Sequence, residues 1–167
     1  MEDQISLWAY SRGEAARDLP YLLWKMVEEA GDWHKIIPQN INDDSTRIEL
    51  HGDLIHWMEW LRDKAIVIIA HNETGDICGF GWYSDQIGGT ALTSIWIAPR
   101  WRGLITREAV FAGIKFGYEM LGLKTLQTIT PWPIARNLAK KCGFKEVAFI
   151  PKHFGPDMWL LEHERKI

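Results

Sequence analysis

The sequence predicts one mixed α/β (α+β) domain: a central sheet of about seven strands with helices on both faces. Three observations predict it. Short apolar or alternating runs recur along the chain, segments with helical spacing lie between them, and turn residues bound both kinds. The order reads strand, helix, helix, three strands, helix, strand, helix, two strands. At 167 residues and 47% hydrophobic content, the chain suits a single domain, 1–167, with one substantial core.

Each element has its own reason. Ile5–Tyr10 alternates apolar and polar residues and predicts a strand. Asp18 caps a helix with Pro20 in its first turn; Leu22, Leu23, Met26, Val27 and Ala30 form its apolar stripe, and Gly31 ends it. Residues 34–49 hold Pro, Asn, Asp and Ser and predict a long loop. Asp53 then caps a second helix carrying Leu54, Trp57, Met58 and Leu61. Ala65–Ala70 and Ile77–Tyr83 are strands joined by Asn72–Gly75, a hairpin. Ala91–Ala98 follows the Gly88-Gly89 turn as a third strand. Thr106–Leu121 is a helix burying Ala109, Val110, Ile114, Gly117 and Leu121, with Gly122 at its stop. Lys124–Thr130 is a strand, Pro133–Lys141 a short helix ended by Gly143, and Lys145–Ile150 and Met158–Glu162 are the closing strands.

Composition narrows the function. The net charge of −3 gives no pull toward nucleic acid, although Arg100, Arg102 and Arg107 form a local basic cluster. No apolar run reaches the ~18 residues of a membrane span. The acidic, polar start Met1-Glu-Asp-Gln is neither a secretory signal nor a transit peptide, so a cytoplasmic protein is expected. Cys78 and Cys142 make no CxxC pair and read as reduced thiols; Cys142 reads as core. His51 and His56 break the spacing of a helical metal pair, and His153 and His163 lack partners at ligand spacing, so no metal site is expected.

The chemistry concentrates at Ser94-Ile-Trp-Ile-Ala-Pro-Arg-Trp-Arg-Gly103, an apolar strand that runs into a basic turn and then a helix. Free backbone N–H groups and the helix dipole at such a junction favour a phosphate, and Arg102 with the amides of Gly103, Leu104, Ile105 and Thr106 suits a diphosphate.

Ile97, Pro99, Trp101, Arg102 and Gly103, with Lys141-Cys-Gly-Phe144 downstream and the element order, make the chain similar to the GCN5-related N-acetyltransferases. The resemblance implies that family's fold and acetyl-CoA as acyl donor. It implies a pyrophosphate at the turn, near residues 102–107 and Trp132, and a pantetheine arm pairing with the backbone of Ile97 and Ala98. It also implies direct acetyl transfer to a primary amine. The departures are specific. Ile105 and Arg107 stand where the family has glycines, Trp132 where it has Asn, and Ala139 where it often has a Tyr that protonates the thiolate.

No acid on the central strands offers itself as general base; Asp76, Asp85 and Asp157 read as loop carboxylates. Ser94, beside Thr93, is the candidate hydroxyl for orienting the substrate, and His153, just past a strand, the candidate base. The loop 34–49 and second helix are expected to shape an acceptor pocket near Trp57, Trp60, Trp82 and Trp96, suited to a partly apolar amine. The ten tryptophans also fit a contact surface for a protein partner or a second copy. On that alternative the fold is kept, catalysis is lost, and the protein resembles divergent bacteriophage-encoded members. A V-shaped cleft between strands 91–98 and 124–130, open to residue 103, favours the enzyme, and an exposed cluster of three or more tryptophans the binding protein.

Overall fold

The structure, a computed structural model, describes residues 6–9, 19–32, 65–151 and 157–166. The strands are β1 (Ser6–Ala9), β2 (Ala65–His71), β3 (Ile77–Ile87), β4 (Thr90–Ile97), β5 (Thr125–Thr130), β6 (Lys145–Ile150) and β7 (Met158–Glu164). The helices are α1 (Leu19–Glu29), α2 (Thr106–Glu119) and α3 (Pro133–Lys141), and a single 3-10 turn spans Pro99–Trp101. The strands form one seven-stranded sheet in the order β1-β2-β3-β4-β5-β7-β6. The β4–β5 pair is parallel and every other pair antiparallel. The expected loop 34–49 and second helix lie outside the described residues.

The two faces carry separate cores. Leu23, Trp24 and Val27 of α1 pack on Val67, Phe80, Trp82 and Trp96. Across the sheet, Tyr118 of α2 and Ala139 of α3 pack with Ile68, Tyr83, Leu126 and Leu161. Helices on both faces are therefore present, as expected. The α1 stripe is rotated from the expected one: Leu22 is 42% exposed and Trp24 is buried in its place. Strand β3 runs past Tyr83 to Ile87, because its exposed polar end still pairs with β4.

Two pieces of backbone chemistry position the site. Gly31, at φ +67°, ends α1, and the Asp32 N–H returns to the Val27 carbonyl at 3.1 Å, which satisfies a terminal acceptor of the helix. Gly79 of β3 faces Ile97 of β4 so closely that a Cβ there would stand 2.2 Å from the Trp96 carbonyl oxygen.

Candidate functional site

Strands β4 and β5 pair through Thr90–Leu92 and Thr125–Gln127, and then they part. Beyond that point β4 keeps to β3 through Ile97, and β5 keeps to β7 through Thr130. The result is a V-shaped cleft between the two strands. A cavity fills it, walled by β4 at Thr93–Ile95, by β5 at Thr128–Thr130, by α2 at Ala109 and Gly113, and by Trp132.

Register decides which groups of β4 look into the cleft. The Ala98 N–H donates to the Cys78 carbonyl of β3 at 2.8 Å. Antiparallel alternation then turns Trp96 and Ser94 toward β3 and leaves the N–H and C=O of Thr93, Ile95 and Ile97 on the opposite edge. The backbone of Ile97 lies on this open edge. Ala98 does not: its N–H is committed to β3 and its carbonyl accepts from Trp101 N–H at 2.9 Å, so Ile95 takes its place on the open edge.

The basic turn differs from expectation in the same way. The N–H of Gly103 donates to Thr106 Oγ1 at 3.2 Å, and the N–H groups of Leu104 and Ile105 both reach the Trp101 carbonyl. The amides of residues 103–105 are thus spent inside the turn. The N-cap Ile105 provides no side-chain cap, so the N–H groups of Thr106, Arg107 and Glu108 lack partners among the described residues. These three belong to the first turn of α2, the end that carries the positive pole of the helix.

Ile105 does not obstruct this approach. Its side chain is 2% exposed and packs inward on Cys78, Ile97 and Ala109. Leu104 points out, 67% exposed. The Arg107 guanidinium lies over the Phe111 ring at 5.8 Å and the Arg100 guanidinium over Trp101 at 4.9 Å. Arg102 is turned away: its Nε–H donates to the Ile97 carbonyl at 2.9 Å, and its Nη2 pairs with the Asp32 carboxylate. Sequence reasoning missed Asp32, which is 3% exposed, because its partner is distant in the chain.

Ser94 lines the cavity, and its hydroxyl has no hydrogen-bond partner among the described residues. His153 lies outside the described residues. Trp132 caps α3 and donates its N–H to Thr130 Oγ1 at 3.1 Å. Tyr83 reaches into the cavity from β3, but its hydroxyl donates to the Gly113 carbonyl, and burial raises its pKa. No carboxylate or imidazole stands among the described cavity walls. Trp82 also lines the cavity; Trp96 is packed in the α1-side core, with its Nε1–H on Asp32 at 3.0 Å. Among tryptophans whose side chains are described, none is exposed. The described residues hold no group of three or more potential metal ligands, and none of their helices is long and apolar enough to cross a membrane.

The splayed β4–β5 pair, with a helix starting at its mouth, is the architecture of the GCN5-related N-acetyltransferase fold, and this chain adopts it. Three solved structures illustrate the match, each at 96% coverage of this chain. Spermidine N-acetyltransferase from Vibrio cholerae in complex with CoA and spermine aligns over 95% of its length, with TM-score 0.66 and 19% identity. Mycobacterium smegmatis RimJ in complex with CoA-disulfide aligns over 81%, with TM-score 0.70 and 15% identity. A putative acetyltransferase of the GNAT family from Desulfovibrio desulfuricans aligns over 99%, with TM-score 0.65 and 17% identity. No protein-family model and no curated protein sequence matches this chain.

Proposed function

We propose that the protein is an acetyl-CoA-dependent N-acetyltransferase acting on a primary amine. The observation that carries this reading is the splay of β4 from β5, which leaves the backbone of Ile95 and Ile97 without a neighbouring strand beside a cavity lined by Ile95 and by Ala109 and Gly113 of α2. Acetyl-CoA supplies an acetyl group activated as a thioester. The N–H groups of Ile95 and Ile97 receive an extended amide-bearing arm as a neighbouring strand would, and an N–H on this edge polarises a carbonyl placed against it. The amides of Thr106, Arg107 and Glu108 hold the diphosphate, with the Arg107 and Arg100 guanidinium groups neutralising it. Trp132 walls the far side of the arm.

Ser94 orients the acceptor, and water carries the proton from its amine, since no described group on the cavity wall does so. An uncharged wall with Trp82, Ile95 and Tyr83 favours an amine with an apolar part over a polycation. Calorimetric titration with acetyl-CoA tests the donor. Micromolar binding that Arg107→Ala weakens supports the reading; no heat at millimolar acetyl-CoA overturns it. Thiol release with an arylalkylamine, spermidine and a peptide N-terminus then ranks acceptors, and a preference for spermidine overturns the apolar assignment.

A further inference from the structure

The Arg102 guanidinium joins two groups that no local rule would bring together. On one side it donates through Nε–H to the carbonyl of Ile97, the last residue of β4, at 2.9 Å. On the other, Nη2 pairs with the carboxylate of Asp32 just past α1. The Asp32 side chain is 5% exposed, and a carboxylate so buried is tolerated only with strong partners. It has two at Oδ2, since the Trp96 Nε1–H also donates to it at 3.0 Å. Its backbone is held as firmly: the Asp32 N–H closes the end of α1 on the Val27 carbonyl at 3.1 Å. The carboxylate is thus presented from a rigid helix end and aimed by a buried indole.

We propose that Asp32 is a positioning residue for the donor turn. By holding Arg102 on the Ile97 carbonyl, it sets where residues 103–105 cross from β4 to α2, and so where the amides of Thr106–Glu108 point. This inference rests on the acetyltransferase reading. Without Asp32 the guanidinium loses its counter-charge and swings to solvent, and the Ile97 carbonyl loses its donor. The turn then samples several paths, and the cost of ordering it falls on donor binding. The acetyl group and the acceptor side are untouched, so the effect belongs to KM for acetyl-CoA.

The test compares wild type, Asp32→Asn, Arg102→Ala and the double variant, by acetyl-CoA affinity and steady-state kinetics. Asp32→Asn is expected to raise the acetyl-CoA KM about tenfold, with kcat and the acceptor KM within about twofold. The double variant is expected to bind no more weakly than Arg102→Ala, because Asp32 acts through Arg102. Equal affinity of wild type and Asp32→Asn, additive losses in the double variant, or a change confined to the acceptor KM overturns the inference and leaves the acetyltransferase reading standing. A wild type that binds no acetyl-CoA overturns that reading and the donor role of Asp32 together. If Asp32→Asn does not fold, Trp96→Phe removes the hydrogen bond that aims the carboxylate. The expected rise in acetyl-CoA KM is then about threefold, and its absence overturns the inference.

Discussion

The hydroxyl oxygen of Tyr118 lies 2.6 Å from His163 Nδ1 and 2.8 Å from the His163 carbonyl oxygen. One phenolic proton satisfies both contacts in one arrangement: O–H donates to the carbonyl and Nδ1–H donates to the phenol oxygen. Burial, with Lys166 adding to it, lowers the pKa of His163 below the usual histidine value of 6.5, so the neutral ring is the folded form. A folded-state value below the unfolded one gives stability that is present above pH 6.5 and lost as pH falls through the folded value. Urea melts from pH 7.5 to 5 are expected to show this acid loss, and His163→Gln is expected to flatten it.

The same pair acts at high pH with the opposite sign. Burial, reinforced by Glu164, pushes the Tyr118 phenol up to about 12. Its contribution is complete below pH 10 and is lost between pH 10 and about 12. Ultraviolet titration of phenolate is expected to show this tyrosine ionising late, and Tyr118→Phe is expected to remove its share of the late component and leave that of the buried Tyr83.

Gly79 is expected to tolerate no side chain. An added Cβ would sit 2.2 Å from the Trp96 carbonyl oxygen and 2.9 Å from the Ile97 Cα, both backbone atoms that cannot swing aside. Gly79→Ala is expected to destabilise by about 1–3 kcal/mol, the usual cost of overpacking, read as a lower urea midpoint. It displaces the end of β4, so acetyl-CoA affinity is expected to fall with it.

Arg107→Ala is expected to weaken acetyl-CoA binding about tenfold, the worth of one charge-assisted contact. The loss is expected to shrink for a pantetheine fragment without the diphosphate, and calorimetry with both ligands separates the two. Fold stability is expected to change little, since the Arg107 side chain is exposed.

The two cysteines are expected to be silent toward thiol reagents in the native protein. Cys78 is 0% and Cys142 2% exposed, and burial raises the Cys142 pKa, against a smaller opposing pull from Arg107. Both are expected to react with an aromatic disulfide reagent at the rate of unfolding.

Much of this was legible where chemistry is local. Pro133 at the start and Gly143 beyond the end place α3 at Pro133–Lys141, and the Asn72–Asp76 turn closes through Asn72 Oδ1 as its residue types demand. What was not legible depends on direction and distance. Missing glycines marked Ile105 as an obstacle, yet whether its side chain points to a phosphate or into the core is set by the turn's path, and here it points inward. Ala98 and Ile97 differ in role by one step of strand alternation, which a sequence does not register to within one residue. Asp32 follows α1 and Arg102 follows β4, 70 residues apart in the chain, and nothing near either residue announces the other.

The parting of β4 from β5 has a consequence for amide protons. Ile95 and Ile97 belong to a strand in the middle of the sheet, yet their N–H groups are not held by a neighbouring strand. In hydrogen exchange they are expected to trade for deuterium far sooner than Ser94 and Trp96, giving an alternating pattern deep inside the fold. A ligand arm laid along β4 is expected to slow those two alone. Exchange thus reads occupancy of the cleft residue by residue, without any assay of turnover.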